Sequence, residues 1–207
     1  MFTGIIEARG RISGIEPVPD GLTLFVDLGT LESETIRAGD SIAVNGVCLT
    51  VTRLDGGIGR FDVSRETMDR CLVGEWKVGD GMNLESSLTL AKPLGGHLVS
   101  GHVDGTGVLD SVVTGEESTW MRIRVPRNLG RYVAIKGSVA VNGVSLTSNR
   151  VTDDGEETLF ELTLVPHTLS MTTLGGLAAG DGVHIEVDIL ARYLQRLLQS
   201  ERQYEEN

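Results

Sequence analysis

Ser41-Ile42-Ala43-Val44-Asn45-Gly46-Val47-Cys48-Leu49-Thr50 returns almost unchanged as Ser138-Val139-Ala140-Val141-Asn142-Gly143-Val144-Ser145-Leu146-Thr147, differing only at Ile42/Val139 and Cys48/Ser145. Chance does not produce such a match, so the chain has to be read as a repeat before anything else. The same offset pairs Thr3-Gly4-Ile5-Ile6 with Ser100-Gly101-His102-Val103. A slightly longer one pairs Arg65-Glu66-Thr67-Met68 with Pro166-His167-Thr168-Leu169, and Val78 to Glu85 with Ala179 to Glu186. Two copies of one unit of just under 100 residues are therefore followed by a tail.

Each copy reads as β-structure. In Val47-Cys48-Leu49-Thr50-Val51-Thr52 the apolar residues share one parity and Cys48, Thr50 and Thr52 the other, the period-two signature of a half-buried strand. Val144 and Leu146 alternate with Ser145 and Thr147 in the same way. Further β-branched or alternating runs at 22–28, 59–64, 120–125, 158–165 and 183–187 are separated by turn chemistry such as Pro19-Asp20-Gly21, Asp55-Gly56-Gly57 and Asp154-Gly155. Twenty-seven glycines also favour many tight turns. Short strands at this spacing predict a closed or nearly closed antiparallel barrel per copy.

The tail is different. From Ile189 to about Arg202 it has neither Gly nor Pro, and Leu190, Leu194, Leu197 and Glu201 recur at helical spacing, with Tyr193 and Leu198 widening the stripe. A lone helix this short is marginal in water, so its stripe needs a partner surface. Two readings stand open: the helix folds back on a barrel, or it forms a short coiled coil between subunits. Asp188 just before it reads as a helix N-cap, a role compatible with a second one.

Composition narrows the function. The 207 residues carry a formal net charge of −11, which opposes phosphate backbones and anionic lipid surfaces, so neither nucleic acid nor a membrane is an expected partner. No apolar window reaches transmembrane length, and the opening MFTGIIEARG has neither a basic n-region nor an apolar h-region; the expectation is a cytoplasmic protein with reduced thiols at Cys48 and Cys71. The glycine-rich dinucleotide fingerprint, the P-loop and the serine-hydrolase elbow are absent, and His97 and His102, read as lying on a strand-like stretch, would face opposite ways with no cluster to complete a metal site. No metal and no cofactor is expected. The positions where the copies diverge, Cys48 against Ser145 and Ile5 against His102, place polar or reactive groups on the strand face opposite the core. The ordinary alternatives are a small buried thiol and a hydrogen-bonded turn histidine. On residues alone the chain reads as a binder of a small polar molecule in two related pockets.

Met1-Phe2-Thr3-Gly4-Ile5-Ile6, the segment Gly95 to Gly105 (GGHLVSGHVDG) and the paired VNGVCLT and VNGVSLT resemble the alpha-chain type of riboflavin synthase over the whole chain. The resemblance implies an all-β chain of two tandem, similar, six-stranded antiparallel Greek-key barrels followed by a C-terminal amphipathic α-helix. It divides the chain into lumazine-binding barrels at 1–97 and 98–188 and a trimerisation helix and tail at 189–207. The implied activity is a dismutation, in which one 6,7-dimethyl-8-ribityllumazine donates a four-carbon unit to another, giving riboflavin and 5-amino-6-ribitylamino-uracil without a cofactor. A duplicated domain suits a reaction whose two substrates are the same compound. The implied assembly is a homotrimer with two lumazines in each active site, formed between the first barrel of one subunit and the second barrel of a neighbour; lumazine synthase is named as a candidate protein partner.

Residue by residue, the resemblance carries substrate contacts onto Gly4, Ile5, Ile6, Cys48, Leu49, Thr50, Asp62, Val63, Ser64, Arg65, Glu66 and Thr67 in the first copy. In the second they fall on Gly101, His102, Val103, Ser145, Leu146, Thr147, Thr163, Leu164, Val165, Pro166, His167 and Thr168, with Lys136 reaching across the subunit boundary. It ties chemistry to Ser41, Cys48, His102, Ser145 and Asp188. His102 is the candidate for proton transfer, as the side-chain type that titrates nearest neutral pH. Asp62 to Thr67 is charged where Thr163 to Thr168 is mostly neutral, which predicts unequal affinities of the two pockets. A non-catalytic lumazine or flavin carrier is the alternative reading, and a reductase's flavin-binding barrel a weaker third.

Overall fold

The computed structural model describes residues 1–31 and 35–205, with the side chains from 201 onward left aside. The first barrel consists of β1 (Ala8–Val18), β2 (Gly21–Asp27), β3 (Ser41–Val44), β4 (Val47–Asp55), β5 (Ile58–Ser64) and β6 (Gly81–Ser86). The second consists of β7 (Gly105–Thr114), β8 (Thr119–Pro126), β9 (Ser138–Val141), β10 (Val144–Asp154), β11 (Glu157–Leu164) and β12 (Gly182–Val187). Both close in the same order, β1-β2-β5-β4-β3-β6 and β7-β8-β11-β10-β9-β12, with every neighbouring pair antiparallel. The step from β2 to β3 passes over two strands, which gives each barrel its Greek-key connection, and closure leaves no strand edge open.

The sequence explains the closure. Along β5 the burial alternates strictly, with Gly59, Phe61 and Val63 inward and Arg60, Asp62 and Ser64 outward. Phe61 and Phe160 are both fully buried, one in each core, but at offset places: Phe61 answers to Leu162 in the second copy, and Phe160 to Gly59 in the first. Bulges recur in register at Thr52 and Asn149, and again at Ser13 and Asp110, bending the strands around the barrel. Asn45-Gly46 and Asn142-Gly143 turn β3 into β4 and β9 into β10 with positive φ at both residues, the two-residue hairpin geometry that Asn-Gly favours.

Short helices follow β5 and β11: α1 (Arg65–Arg70) and, after the single turn α2 (Arg127–Gly130), α3 (Pro166–Met171). The sequence reading missed them, because six residues are too few to show a period. Ser64 caps α1, its hydroxyl accepting from the Thr67 N–H; α3 has no side-chain cap and starts instead on Pro166, whose missing N–H would have been an orphan in the first turn.

The barrels meet about a pseudo-two-fold axis on which the two Asn-Gly turns touch. A Cβ on Gly46 would lie 2.7 Å from the Gly143 nitrogen, and the converse also holds. Beside them Asn83 of β6 donates from its amide to the Asn142 carbonyl (3.0 Å) and accepts from the Thr173 N–H (2.7 Å). Its counterpart His184 of β12 sits near the Asn45 carbonyl (Nδ1, 2.8 Å) and accepts from the Leu72 N–H at Nε2 (2.8 Å). Nε2 must therefore be the unprotonated nitrogen, and Nδ1 donates. Phe2, Val99, Ala43 and Ala140 form a small apolar cluster at the same interface.

Burial lowers the pKa of His184, opposed by its bond to Asn45, so the folded protein holds the ring neutral. A folded pKa below the unfolded value of about 6.5 means that this stability is complete above pH 6.5 and is lost as pH falls below it. We expect chemical denaturation to show a midpoint that drops on acidification from pH 7 to 5. His184→Ala should cost about 1–3 kcal/mol for each of the two backbone groups left without a partner, and His184→Asn clearly less, since Asn83 already does both tasks in the other copy.

Candidate functional site

The site is built on two glycine straps that precede the barrels. Thr3-Gly4 is held by Glu85 of β6, whose carboxylate accepts from the Thr3 N–H (2.7 Å), the Thr3 hydroxyl (2.7 Å) and the Gly4 N–H (2.9 Å). Ser100-Gly101 is held by Glu186 of β12 in the same way, at 2.6, 2.6 and 2.9 Å. Both glutamates are buried on the strand face opposite the barrel core, the face they share with Asn83 and His184, and a buried carboxylate is tolerable only when hydrogen-bonded. Burial raises the pKa of Glu186, against the pull of Ser100, Gly101 and Arg192.

Each strap then crosses to the other barrel. The Gly101 carbonyl accepts from the Cys48 N–H (2.8 Å) on β4, and the Gly4 carbonyl from the Ser145 N–H (2.8 Å) on β10. Val103 packs on the first barrel's core and Ile6 on the second's. The sequence grouped Gly4 to Ile6 with the first copy and Gly101 to Val103 with the second; in three dimensions they are exchanged, and they are straps rather than strand faces. Gly4 and Gly101 have φ of 75° and 78°, and a Cβ on either would lie 2.6 Å from the Cβ of Ser145 or Cys48, so only glycine fits.

The first groove, of about 360 Å³, is lined by Val47, Cys48, Glu66, Thr67, Arg70 and Cys71 with Gly101, His102 and Val103 from the exchanged strap. The Cys71 thiol donates to the Thr67 carbonyl (2.7 Å), and burial raises its pKa. Cys48 is half-buried and His102 exposed. Thr50, Asp62 and Ser64 face outward on β4 and β5, whereas the side chains of Leu49 and Val63 belong to the barrel core, so only their backbone is available to a ligand. Arg65 is exposed on α1. Ser41 opens β3 opposite Thr50.

The second groove is the counterpart around Ser145 and Thr147, Thr163 and Val165, with Pro166, His167 and Thr168 on α3. Leu164 is core and Leu146 packs against it. Lys136 joins Thr163 through Asn149: its ammonium donates to Asn149 Oδ1 (2.8 Å), and Asn149 Nδ2 donates to the Thr163 hydroxyl (2.9 Å). The linker closes over Ser145 as it does not over Cys48. Gly96 passes so near that a Cβ there would meet the Ser145 Oγ at 2.9 Å, and His97 Nδ1 lies 2.7 Å from that oxygen.

His97 is buried, with Nε2 unpartnered among the described residues; burial lowers its pKa, against the charge of nearby Asp188. Ser145, His97 and Asp188 thus form a group that the sequence reading did not assemble, because His97 was weighed only as a metal ligand. Asp188 also caps the final helix, α4 (Ile189–Glu205), accepting from the Leu190 N–H (2.9 Å). The buried glutamates were missed too, although their occurrence at matching places in both copies was a visible signal. Among the described residues no cluster of three or more His, Cys, Asp or Glu is placed to hold a metal ion.

α4 does not bury its apolar stripe. It meets the second barrel through Arg192 and Gln195, the latter bonded to the Tyr132 hydroxyl, while Leu190, Leu194 and Leu197 stay about 60% exposed. Folding back on a barrel is thus not how the stripe is covered. The side chain of Glu201, the last member of the predicted stripe, lies outside the described residues. No helix is long and apolar enough to cross a membrane among the described residues.

The lumazine binding domain family matches residues 3–87 and 100–188. The riboflavin synthase of Photobacterium phosphoreum is 46% identical over 96% of this chain and 89% of its own, and that of Mycobacterium bovis 43% identical over 97% and 99%. The riboflavin synthase of Bacillus subtilis is 35% identical over 96% and 90%. Among solved structures, LumP complexed with 6,7-dimethyl-8-(1'-D-ribityl) lumazine superimposes with a TM-score of 0.80 at 26% identity, covering 90% of this chain and 99% of that one. LumP complexed with riboflavin gives 0.81 at 27% identity, with the same coverage.

The straps predict a chemical phenotype. Gly101→Ala forces a β-carbon into the left-handed region, a cost of about 1–2 kcal/mol before any clash, and should lift the strap from β4. In a Cys71→Ser background, alkylation of Cys48 by iodoacetamide is expected to accelerate several-fold; an unchanged rate would show that the strap does not shield the thiol.

Proposed function

The chain belongs to the riboflavin synthase family, built on a pair of lumazine binding domains, and we infer that each of its two grooves holds one lumazine. Its activity is that of the family: two molecules of 6,7-dimethyl-8-ribityllumazine dismutate, one giving up a four-carbon unit and leaving as 5-amino-6-ribitylamino-uracil, the other receiving it and leaving as riboflavin. The observation that carries the two-ligand reading is the reciprocal exchange of straps, which sets the same kind of strap against Cys48 of β4 and against Ser145 of β10.

The division of labour follows from the inequality of the grooves. Deprotonation of the 7-methyl group of one lumazine gives a delocalised carbanion, and addition of a nucleophile to the ring of the other makes it the acceptor. His102, exposed on the strap over the first groove, is the proton-transfer candidate there, with Cys48 lining the same groove and Ser41 opposite Thr50 on the adjoining strand. In the second groove a neutral His97 can accept the Ser145 proton through Nδ1, which would activate Ser145 or a water that it holds, and Asp188 would favour the charged imidazole so formed. Cys48 acts as a hydrogen-bonding group rather than an obligatory thiolate, since among the described residues no cation is bonded to its sulfur. The rest of the catalysis is positioning: two rings held in contact react as if at very high local concentration.

Dismutation needs the two rings together, and the family arrangement supplies this by setting the first groove of one subunit against the second groove of its neighbour. The unpartnered stripe of α4 supports a homotrimer joined through this helix, with Lys136 contributing across the boundary. On this reading 1–97 and 98–188 are the lumazine-binding units and 189–207 the assembly segment.

Purified protein given the lumazine alone should form one riboflavin for every two lumazines consumed, without metal or nucleotide, as followed by absorbance and chromatography. Tight binding without conversion would mean a carrier. His102→Gln should lower kcat by about 100-fold or more, and Cys48→Ser should retain turnover close to the unsubstituted protein.

A further inference from the structure

The two straps share the glutamate clamp and the crossing carbonyl and differ in their remaining anchors, among them a bond from the His97 N–H to the Thr3 carbonyl (3.1 Å) that, among the described residues, only the first strap has. Beside the first, Glu7 of the pre-strand segment accepts from the Ser86 N–H (3.0 Å) and hydroxyl (2.7 Å) and pairs with Lys92, which also lies 3.4 Å from Glu85 and donates to the Ser86 carbonyl (2.8 Å). Beside the second, Asp104 takes the place of Glu7 and accepts from the Val187 N–H (2.8 Å). Here the cation is Arg192, whose Nη2 donates to Asp104 Oδ2 (2.7 Å) and to the His102 carbonyl (3.0 Å), and whose charge acts on Glu186. Lys92 comes from the linker between the barrels. Arg192 comes from α4.

Resting on the lumazine dismutation assigned above, we propose that Arg192 is a positioning residue for the first groove: it ties the final helix to the strap that carries His102 and so sets where that imidazole stands over the ligand. The bond goes to the backbone of His102 itself, so displacing α4 displaces the peptide on which the proton-transfer group is mounted. Arg192 is two-thirds buried, its two acceptors are a carboxylate and a carbonyl, and a charged bond of this kind is strong and directional. The opposite side of α4 bears Leu190, Leu194 and Leu197, so any surface that covers this stripe gains a mechanical link to His102. Lys92 makes no bond to the backbone of its own strap, so the first strap lacks this link.

The test compares Arg192→Ala, Arg192→Lys and Lys92→Ala in the full-length protein, read by hydrogen–deuterium exchange and by steady-state kinetics. Arg192→Ala is expected to speed exchange at 99–104 while leaving 2–6 and strands β7 to β12 unchanged, and to lower kcat for the lumazine about tenfold or more with a smaller change in KM. Arg192→Lys, which keeps the charge and three N–H donors but lacks the planar guanidinium, should recover part of both, and Lys92→Ala should not speed exchange at 99–104. Unchanged exchange at 99–104 in Arg192→Ala overturns the proposal. So does faster exchange throughout the second barrel, which would make Arg192 merely structural, or local loosening with full kcat. If the unsubstituted protein does not convert the lumazine at all, the functional reading fails by itself, and exchange at 99–104 still decides whether Arg192 holds the strap.

Discussion

Two backbone hydrogen bonds organise this molecule: the Cys48 N–H to the Gly101 carbonyl and the Ser145 N–H to the Gly4 carbonyl. Each donor belongs to one copy of the repeat and each acceptor to the other. Strands β4 and β10 carry the candidate site side chains, and the straps can reach them only if the barrels face one another about the Asn-Gly turns. The buried glutamates, the glycines with positive φ and the Asn83 and His184 bridges all serve that approach. A buried N–H without an acceptor is costly, so a barrel that lost its partner would be left with such groups on the very strand that lines its groove.

Within this near-symmetric frame, the differences between copies show where a shared part took on a separate task. His184 fills the place of Asn83 with the same donor and acceptor pair, but it brings a proton that can be gained as pH falls. Lys136 stands where the first copy has Gly39, and it keeps a positive φ of 65° that a lysine adopts only at a cost. Its N–H bond to the Ser148 carbonyl and its ammonium bond to Asn149 hold it there, linking its charge to Thr163 across the Asn149 amide. His102 replaces Ile5 on the exchanged strap. Each of these keeps the backbone of its counterpart and changes the chemistry.

Much of this was legible beforehand. The repeat fixed two like barrels, and the period-two pattern of residues 47–52 correctly set Cys48 and Thr50 apart from the core. The strand spacing already predicted barrel closure; the resemblance supplied the Greek-key topology and the site residues by contiguous ranges, which is why Leu49, Val63 and Leu164 were carried along although their side chains turn inward. What the sequence hid was the exchange of straps: alignment of copies says which residues are equivalent, not which copy they serve. His97 was hidden for a similar reason, since its partners Ser145 and Asp188 come from β10 and from the start of α4. α4 itself was found from its spacing, but that its polar side would dock and its leucines stay bare could not be read from a period that is the same for either outcome.

The exchange also imposes an order in time on a chain made from its N-terminus. Gly4 leaves the ribosome well before Ser145, and its seat there does not exist until some 140 further residues have been added, a wait of roughly 7–28 s at about 5–20 residues per second. Once Ser86 has been added the first barrel can close and Glu85 can hold Thr3 and Gly4, yet the Gly4 carbonyl has no β10 to meet and the His102 strap has no Glu186 to hold it. The two grooves are thus completed together and late, and a nascent chain carries Phe2, which ends fully buried, without its final cover for most of its synthesis.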